Sequence, residues 1–413
     1  MSVGSVITDM LGSDLPIRIR AFDGTDLGPR TASTTLTINS PEALIRIVTA
    51  PGELGLARAY VGGEIGISGN IYDVLELRRL LSHVRFTPSQ IREFIRLVGL
   101  NEIRRIPPPP EEHRRTRGRL HSRGRDANAV SHHYDVSNEF YELVLGPSMT
   151  YSCALFAQPS DTLEQAQENK HELVCAKLGL LPGVRLLDIG CGWGSMAIHA
   201  ARHHGAEVVG ITISQNQVDL ARERVAEAGV ADRVEIRLQD YRDVDDRPFD
   251  AISSIGMFEH VGLDRLGTYF DQVLRLLVPE GRFLNHAISR TGTRPRIRLR
   301  RSGFIDRYVF PDGDLHEVGA VISSLHDHGF DVRHMEGLRE HYALTLRRWV
   351  SNLEANWEVA VAATSEGRAR VWRLYMAASA VNFEDNHLHV DQVLAVKPSE
   401  SGRSSMHLRP EWQ

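Results

Sequence analysis

The segment LLDIGCGWGS, residues 186–195, decides the fold class of this chain. An apolar run of strand length ends at Asp188, and Gly190, Gly192 and Gly194 then permit a tight turn and the close approach of a ligand to the backbone. A helical pattern, SMAIHAARHHG, begins directly after the last glycine. A strand, a glycine-rich turn and a helix in this order predict the first unit of an α/β sheet that binds a ligand at the turn.

Outward from this segment, apolar runs of strand length alternate with helical patterns. The predicted strands are VRLLDIG, AEVVGIT, RVEIRLQD, FDAISSIG and GRFLNHAI, and FDVRHME and LHVDQVLAV are candidates for the final strands. The helical stretches between them are SMAIHAARHHG, SQNQVDLARERVAEAG and DRLGTYFDQVLRLLVPEG. This alternation predicts a Rossmann-like, doubly wound α/β sheet whose strands are parallel and whose helices cover both faces.

The chain divides by composition into four parts. Residues 1–100 form a smaller predicted α+β domain, which we expect to associate with lipid or the membrane. In it, LPIRIRAF and TTLTINS alternate as strands while PEALIRIV, GLARAYVGGEIGISG and IYDVLELRRLL are helical patterns. Residues 101–130 are a predicted linker, because PPPP at 107–110 cannot continue a helix and arginines follow closely. The α/β domain then occupies residues 131–400, and residues 401–413 are a tail.

The composition of the 413-residue chain, 42% hydrophobic and 24% charged, is ordinary for a globular protein. No window approaches 18 consecutive apolar residues, and the N-terminus lacks the basic and apolar regions of a secretory signal, so we expect a cytoplasmic protein without a membrane-spanning helix. Three cysteines without a C-x-x-C pair favour a reducing compartment. The net charge of −5 argues against a dedicated nucleic-acid-binding protein.

Arginine dominates the basic residues, since only Lys170, Lys177 and Lys397 among the 48 are lysines. One arginine-rich stretch lies within residues 114–125, and another, RTGTRPRIRLRR, occupies residues 290–301. They have two interpretations: solvated segments of chain, or a surface attracted to anionic lipid head groups, where each basic residue adds about 1 kcal/mol. The sequence leaves both interpretations open.

The residues around the glycine loop bear on which ligand it binds. Asp188 precedes the glycines, where a carboxylate can hold the ammonium group of an amino-acid moiety, directly or through water. The third glycine follows the second after one residue rather than two, and Trp193 would crowd a pyrophosphate. These features argue against a dinucleotide as the ligand, although the glycine spacing alone is a weak signal.

The glycine run with its leading aspartate resembles motif I of class I methyltransferases, and this resemblance implies S-adenosylmethionine as the cofactor. At the end of the second strand, GITISQNQ stands where most of the class have an acidic residue for the ribose, and here the chain is similar to a lipid-modifying branch of the class. The cofactor-binding residues that the resemblance implies are Tyr151, Ser152, Asp188, Gly190, Gly192, Gly194, Thr212, Gln217, Gln239, Asp240 and Tyr241.

Four further segments are similar to the cyclopropane-fatty-acid-phospholipid synthase family in its long, two-domain form. They are HHYDVSNEFYELVLGPSMTYSCALF (132–156), GMFEHVG (256–262), NHAIS (285–289) and HYALTLRRW (341–349). The resemblance spans about residues 131–395, in the family's order and spacing. It implies transfer of a one-carbon unit to the cis double bond of an unsaturated acyl chain, with the first segment covering the cofactor.

The chemistry of this reaction calls for an unusual base. An isolated alkene is a poor nucleophile, so it must be held against the sulfonium methyl in a dry pocket, and its attack leaves a carbocation that must lose a proton. A carboxylate directly beside the cation is itself open to alkylation, and the resemblance implies a bicarbonate ion as the base instead. The catalytic residues implied around it are Cys153, Glu259, His286 and Tyr342, with the backbone near Ile288, and Glu336 to orient Tyr342.

Each of these residues has a plainer interpretation when it is taken alone. Cys153 is typical of a small buried hydrophobe, His286 of a satisfied core histidine, and Tyr342 of a residue that only packs. Their co-occurrence at strand ends and loops favours a site, because ligands bind outside the carboxyl ends of the strands in open α/β sheets. The stretch HHYD at 132–135 suggests a metal, but no matching ligands follow at suitable spacing, so we expect no metal site.

Two products remain open within the same enzyme class. Loss of a proton from the transferred methyl group closes a cyclopropane ring. A hydride shift before that loss leaves an exocyclic methylene instead, the precursor of a methyl-branched chain of the tuberculostearic type. A non-catalytic lipid-binding protein on the same fold is the remote alternative, and the intact glycine loop argues against it.

The resemblance also implies the partners of the enzyme. We expect the substrate to be a membrane phospholipid, and the enzyme to associate peripherally with the anionic inner face of the membrane. No nucleic-acid partner is expected, and a homodimer is an expectation from the resemblance alone. Acyl length, double-bond position and head group leave no signal in the sequence.

Overall fold

The computed structural model describes residues 2–81, 106–113, 125, 137–291, 303–310, 313–410 and 412. The described helices are α1 (Val3–Leu11), α2 (Glu42–Thr49), α3 (Glu53–Val61), α4 (Ile71–Leu81), α5 (Asn138–Leu145), α6 (Leu163–Leu178), α7 (Ser195–His204), α8 (Gln215–Glu227), α9 (Leu266–Leu276), α10 (Phe304–Tyr308), α11 (Val318–Asp327), α12 (Arg339–Ala355), α13 (Trp357–Ala363) and α14 (Glu366–Glu384). The described strands are β1 (Arg18–Ala21), β2 (Asp26–Leu27), β3 (Thr35–Ile38), β4 (Ile65–Ser68), β5 (Arg185–Ile189), β6 (Glu207–Thr212), β7 (Val234–Leu238), β8 (Phe249–Ile255), β9 (Leu277–Arg290), β10 (Asp331–Gly337) and β11 (Leu388–Val396). None of these helices is long and apolar enough to cross a lipid bilayer.

The chain forms two compact units. The first contains Met1–Arg115, Arg300–Pro311 and Leu353–Val381, and the second contains Thr116–Leu299, Asp312–Asn352 and Asn382–Gln413. This division differs from the expected boundary near residue 130, because two later segments belong with the N-terminal residues. Local sequence patterns carry no signal for such an association, since it depends on side chains about 300 positions apart along the chain.

The first unit is built on a four-stranded sheet in the order β2-β1-β3-β4, in which β1 and β3 are parallel and the other pairs are antiparallel. Its buried core includes Val6, Ile38 and Tyr60, and Leu374 of helix α14 packs against this core. Arg370 also donates a hydrogen bond of 2.9 Å to the carbonyl of Tyr60. These contacts explain why part of α14 belongs to the first unit, which has the predicted α+β character.

The helical prediction for GLARAYVGGEIGISG is wrong beyond Val61, where α3 ends. Gly63 has a φ of +84°, a left-handed conformation that favours glycine and cannot continue a helix. The residues after it alternate as a strand, and β4 pairs with β3 so that Ile65 lies opposite Ile38. The paired glycines therefore separate a helix from a strand.

Residues 106–113 of the predicted linker belong to the first unit and are held there by a buried carboxylate. Glu112 accepts two hydrogen bonds from Arg58, at 2.6 and 2.7 Å, and one of 3.2 Å from Tyr308. Arg307 adds an ion pair of 2.8 Å. This stretch thus differs from a solvated tether. Most of the arginines in the two basic stretches lie outside the described residues, so both interpretations of those stretches stay predictions.

The second unit contains the predicted doubly wound α/β sheet, and that fold class is confirmed. Seven described strands lie in the order β10-β11-β9-β8-β5-β6-β7. Strands β5 to β9 are mutually parallel, but β11 is antiparallel to both of its neighbours. The expectation of a wholly parallel sheet is therefore wrong for this strand, because an apolar run of strand length carries no signal of its direction.

Two helical boundaries in this unit also differ from the sequence predictions. The stretch expected to be helical as far as Gly281 changes to strand at Leu277, because Pro279 has no amide hydrogen to donate within a helix. Helix α6 was not predicted at all. Its start carries a recognisable signal, since Thr162 and Gln165 form a capping box in which each side chain accepts a hydrogen bond from the other residue's backbone.

Helices cover both faces of the large sheet and place its strand ends around a common edge. On one face, Val174 of α6, Ala197 of α7 and Val218 of α8 pack in one buried cluster with the strands. On the other face, Phe270 of α9 and Leu325 of α11 do the same. The carboxyl ends of β5, β6, β7 and β8 remain at one edge, where parallel α/β sheets bind ligands.

Candidate active site

The glycine loop follows β5 and leads into helix α7. Gly190 has a φ of +79°, and a Cβ atom built there would lie only 2.9 Å from the Cβ of Met257. Gly194 has a φ of +83° and is the N-terminal cap of α7. Backbone conformation and the closeness of a neighbouring side chain both require glycine at position 190.

A cavity of about 160 Å³ opens at the carboxyl ends of the parallel strands. Ten of the residues predicted to bind the cofactor line this cavity: Tyr151, Ser152, Asp188, Gly190, Gly192, Thr212, Gln217, Gln239, Asp240 and Tyr241. The eleventh, Gly194, does not line it. The structure therefore brings together segments that are separated by up to 90 residues in the sequence.

Asp188 lines this cavity, and the residue is nearly buried, with 2% of its surface exposed. Ser253 on the neighbouring strand β8 donates a hydrogen bond of 2.7 Å to one of its oxygens. Burial raises the pKa of Asp188 to about 6, while this hydrogen bond and the charge of Lys170 oppose the rise. The side chain is thus a carboxylate at neutral pH, in a position to receive a cationic group.

Lys170 is a cavity residue that the sequence analysis missed, because helix α6 was not predicted. It is 1% exposed, and its Nζ donates a hydrogen bond of 3.1 Å to the Ser152 hydroxyl. Burial lowers the pKa of Lys170 to about 7, although the nearby Cys153 and Asp188 oppose this shift. The signal that points to it is the rarity of lysine in this arginine-rich chain.

Hydrogen bonds at the ends of β6 and β7 position further residues around the cavity. The Thr212 hydroxyl donates a hydrogen bond of 2.6 Å to Oε1 of Gln217, and both side chains are buried. The backbone amide of Gln239 donates a hydrogen bond of 2.9 Å to the carbonyl of Thr212, and this bond joins the ends of β6 and β7. Arg242 donates to both carboxylate oxygens of Asp240, at 2.8 and 2.5 Å, which fixes the orientation of that carboxylate.

The predicted catalytic residues Cys153, Glu259, His286, Tyr342 and Glu336 do not line this cavity. They gather instead around the strands β9, β10 and β11, and a chain of contacts connects them. The Cys153 thiol lies 3.6 Å from the carbonyl of Leu338, the amide of Leu338 bonds to Val390 in β11, and Val390 lies opposite Ile288 in β9.

Glu259 is bound to β9 by one carboxylate oxygen. The amide of Ile288 donates a hydrogen bond of 2.7 Å to its Oε1, whereas its Oε2 is buried and has no hydrogen-bond partner among the described residues. Burial raises the pKa of Glu259 to about 7. Because Oε1 already accepts a hydrogen bond, Oε2 is the oxygen that would carry a proton.

A polar row crosses three strands next to this position. Glu336 in β10 lies opposite Gln392 in β11, and Gln392 lies opposite His286 in β9. Above the row, the fully buried Lys177 of helix α6 donates to Glu336 at 2.5 Å and to Oε1 of Gln392 at 2.7 Å. Glu336 therefore pairs with Lys177 rather than with Tyr342, its expected partner.

This row determines which nitrogen of His286 carries the proton. Because Lys177 binds Oε1 of Gln392, the amide nitrogen of Gln392 faces His286 and lies 3.2 Å from its Nδ1. Nδ1 must then accept, so the proton of the neutral ring is on Nε2. That Nε2 is buried and has no partner among the described residues. Burial, together with the charges of Lys170 and Lys177, lowers the pKa of His286 to about 3.

Cys153 and Tyr342 share a contact with one carbonyl. The Cys153 thiol lies 3.2 Å from the carbonyl of Ala154 and 3.6 Å from that of Leu338. The amide of Tyr342 donates to the Leu338 carbonyl at 3.1 Å. Burial raises the pKa of Cys153 far above its usual range, so the group is a thiol and not a nucleophilic thiolate. The Tyr342 ring packs against Phe383, with 4.8 Å between ring centroids.

The arrangement offers two sets of ligand-binding groups. The cavity offers a carboxylate, a lysine and a glycine loop, a set that suits a molecule with ammonium and carboxylate groups. The row beyond it offers the Nε2–H of His286 and, when Glu259 is protonated, the Oε2–H of Glu259. Two buried donors without partners suit a small anion, because an unpaired buried polar group costs about 1–3 kcal/mol.

The strand order, the glycine loop after β5 and the cavity at the strand ends define a class I S-adenosylmethionine-dependent methyltransferase. A solved structure of a mycolic acid cyclopropane synthase complexed with S-adenosylhomocysteine and CTAB superposes with a TM-score of 0.62. It is 35% identical to this chain, and the match covers 66% of this chain and 98% of that one.

Comparison with protein families places the chain more narrowly. The family described as mycolic acid cyclopropane synthetase matches residues 121–393. A probable fatty acid methyltransferase of Mycobacterium tuberculosis is 45% identical, over 96% of this chain and 95% of its own length. The cyclopropane-fatty-acyl-phospholipid synthase of Escherichia coli strain K12 is 38% identical over 90% of each chain, and a tuberculostearic acid methyltransferase of M. tuberculosis is 35% identical over 92% of this chain and 87% of its own. The chain belongs to the cyclopropane-fatty-acid synthase family of methyltransferases, which modify acyl chains.

We predict that His286 remains neutral, with its proton on Nε2, from about pH 5 to 8, a range in which an ordinary histidine titrates. Burial of the ring and the orientation of Gln392 both impose this state. The ¹⁵N chemical shifts of the labelled protein measure it, and His286→Gln identifies the signal. A proton gained in this range, or a proton on Nδ1, would contradict the assignment.

Proposed function

We propose that this enzyme transfers a one-carbon unit from S-adenosylmethionine to the cis double bond of an unsaturated acyl chain in a membrane phospholipid, forming a cyclopropane. The observation that carries the proposal is a pair of buried polar atoms, Nε2 of His286 and Oε2 of Glu259, that have no partner among the described residues and belong to segments next to the cofactor cavity. A simple methyl transfer to a nucleophile would need no such anion site. The phospholipid as substrate is supported by the name of the E. coli relative.

In this proposal the cavity residues hold the cofactor by its three parts. Asp188 pairs with the ammonium group of the methionine portion, and Ser152, held by Lys170, lies at the same end with Tyr151. Thr212 and Gln217 contact the ribose. Gln239, Asp240 and Tyr241 surround the adenine, and the glycines of the loop let the backbone approach the cofactor closely.

The anion site fits bicarbonate in its donor set. Cys153, Glu259, His286 and Tyr342 would hold it, together with the backbone near Ile288. The Nε2–H of His286 points to an acceptor that the described protein atoms do not supply. Because the pKa of Glu259 is near 7, its carboxyl group can be protonated, and its O–H is then a second donor beside the N–H of His286. Protonation also removes the repulsion between the Glu259 carboxylate and the bicarbonate ion. The ion supplies a proton acceptor for the cationic acyl chain.

The protein groups around this site are poor bases in their own right, which explains the need for an external one. With a pKa of about 3, His286 cannot retain an abstracted proton at neutral pH. Cys153 is a thiol at that pH, because burial raises its pKa. Glu259 is protonated in the proposed complex, where its O–H donates to the anion, so it accepts no further proton there. These side chains therefore position a base rather than act as one.

The methylene-branched product is the second candidate, and the tuberculostearic acid methyltransferase among the relatives favours it. Both products begin with the same methylated cation, and they differ in whether a hydride moves before the proton is lost. The same anion site serves both reactions. A peripheral position at the inner face of the membrane and assembly as a homodimer also belong to the proposal.

Product analysis is the direct test of this function. The purified chain is incubated with methyl-deuterated S-adenosylmethionine and vesicles of mono-unsaturated phospholipid, and the acyl chains are examined by mass spectrometry and NMR. We expect the upfield signals of a cyclopropane ring, in the proton spectrum from its two methine hydrogens and in the deuterium spectrum from its transferred carbon. Vinylidene signals would assign the branching reaction instead, and cofactor binding without any label in the lipid would contradict the substrate.

Variants of His286 and Glu259 test whether these residues serve the reaction rather than cofactor binding. We expect His286→Ala and Glu259→Ala to lower kcat at least about 100-fold, the effect of removing one donor from an oxyanion site, with S-adenosylhomocysteine affinity nearly unchanged. Glu259→Gln should retain more activity, because its amide nitrogen can take the donor position. His389→Ala on β11, whose side chain bonds to Asn386, is the matched control. An equal loss of cofactor affinity in the first two variants would overturn this division of roles.

A further inference from the structure

A group of metal-binding side chains lies between helices α6 and α7, outside the site described above. Cys175 of α6 and His199 and His204 of α7 each present one ligand atom, and these three atoms all lie within 4.8 Å of one another. Cys175 and His199 are buried, and His204 is half-buried. A thiol and two imidazoles that converge in this way are the donors typical of protein zinc sites.

Glu172, one turn before Cys175 on α6, offers a fourth donor beside the two rings, although it is not one of the three residues whose ligand atoms all lie within 4.8 Å of one another. Its Oε2 lies 3.3 Å from Nε2 of His199 and 3.0 Å from Nε2 of His204. In a tetrahedral site with bonds of about 2.1 Å, neighbouring ligand atoms are about 3.4 Å apart. The carboxylate oxygen therefore already lies near this spacing from one nitrogen of each ring, and separations within the group of up to 4.8 Å would shorten by side-chain movement on binding.

We propose that Glu172, Cys175, His199 and His204 form a structural zinc site. The set of one sulfur, two nitrogens and one oxygen suits Zn²⁺, whereas Mg²⁺ and Ca²⁺ prefer oxygen ligands alone. Binding replaces the thiol proton of Cys175 by the metal and releases that proton to solvent. With four protein ligands no coordination position remains open, so the metal holds structure and performs no chemistry.

The position of the site gives it a clear structural effect. Helix α7 begins at the glycine loop, and α6 carries the buried Lys170 and Lys177. A metal between these helices would hold the cofactor loop and both lysines in one arrangement. The inference is independent of the proposed function, since it concerns neither the acyl substrate nor the anion.

No metal site is expected from the sequence, because the ligands are not spaced as in a recognised zinc motif. The ligands come in the patterns E-x-x-C and H-x-x-x-x-H, with 23 residues between Cys175 and His199. Only the packing of α6 against α7 brings the two pairs together. The earlier candidate, HHYD at 132–135, lies outside the described residues.

Metal titration of the full-length chain tests this proposal. The protein is stripped with a chelator, and Co²⁺ is then added as a spectroscopic probe for Zn²⁺. We expect one Co²⁺ per chain, a near-ultraviolet absorption band from sulfur-to-cobalt charge transfer, and loss of that band when Zn²⁺ displaces the Co²⁺. Absence of stoichiometric binding to the folded wild-type chain would overturn the proposal without any variant.

Three variants locate the ligands. Cys175→Ser should lose the charge-transfer band, and His204→Gln should weaken Zn²⁺ binding at least about 100-fold, since even the loss of an outer-shell partner costs 10–100-fold. His203→Gln is the matched control, because its ring stacks on His199 at 4.5 Å without belonging to the ligand set. Circular dichroism and S-adenosylhomocysteine binding establish that each variant is folded. A band unchanged in Cys175→Ser, or equal weakening in His203→Gln, would place the metal elsewhere and overturn the assignment.

Discussion

The hydrogen bond from Lys177 to the side-chain oxygen of Gln392 is the constraint on which the proposed anion site depends. An amide can face either way, and this ammonium group, buried under helix α6, permits only one orientation. The amide nitrogen then faces Nδ1 of His286, so the ring must carry its proton on Nε2. The contact between Lys177 and Gln392 on β11 thus determines that His286 on β9 has its N–H donor at Nε2.

Helix α6 links this row to the cofactor cavity, because Lys170 and Lys177 are seven residues apart and both are buried. Lysine suits these positions better than the arginine that the chain uses almost everywhere else. Its ammonium is a compact charge on a flexible stem, whereas a guanidinium is planar and needs more space and more acceptors. The charge of Lys177 is compensated by its ion pair with Glu336, as burial of a charge requires. The nearby Asp188 opposes the fall in the pKa of Lys170 that burial causes.

Much of the large sheet could be predicted from the sequence, because its strands are short apolar runs separated by clear turn signals. Ten of the expected cofactor residues also line one cavity, and eight of them lie at or after the ends of strands whose carboxyl ends share an edge. The direction of β11 could not be predicted, and neither could the association of α14 with the first unit, because both depend on distant contacts. Lys177 and Gln392 were missed for a related reason: each has a role only through its partner. The capping box at Thr162 and Gln165 was a signal for α6 that was available in the sequence.

The turnover of Lys177→Met tests most directly whether this buried row governs the anion site. Methionine keeps the length and apolar stem of the side chain but cannot orient Gln392. The account predicts that kcat falls at least about 10-fold, the effect of losing an orienting outer-shell partner, while S-adenosylhomocysteine affinity is retained. Lys397→Met, which removes a lysine bonded to the carbonyls of Leu274 and Leu277, should keep its turnover. A folded Lys177→Met enzyme with the turnover of the wild type would contradict the account.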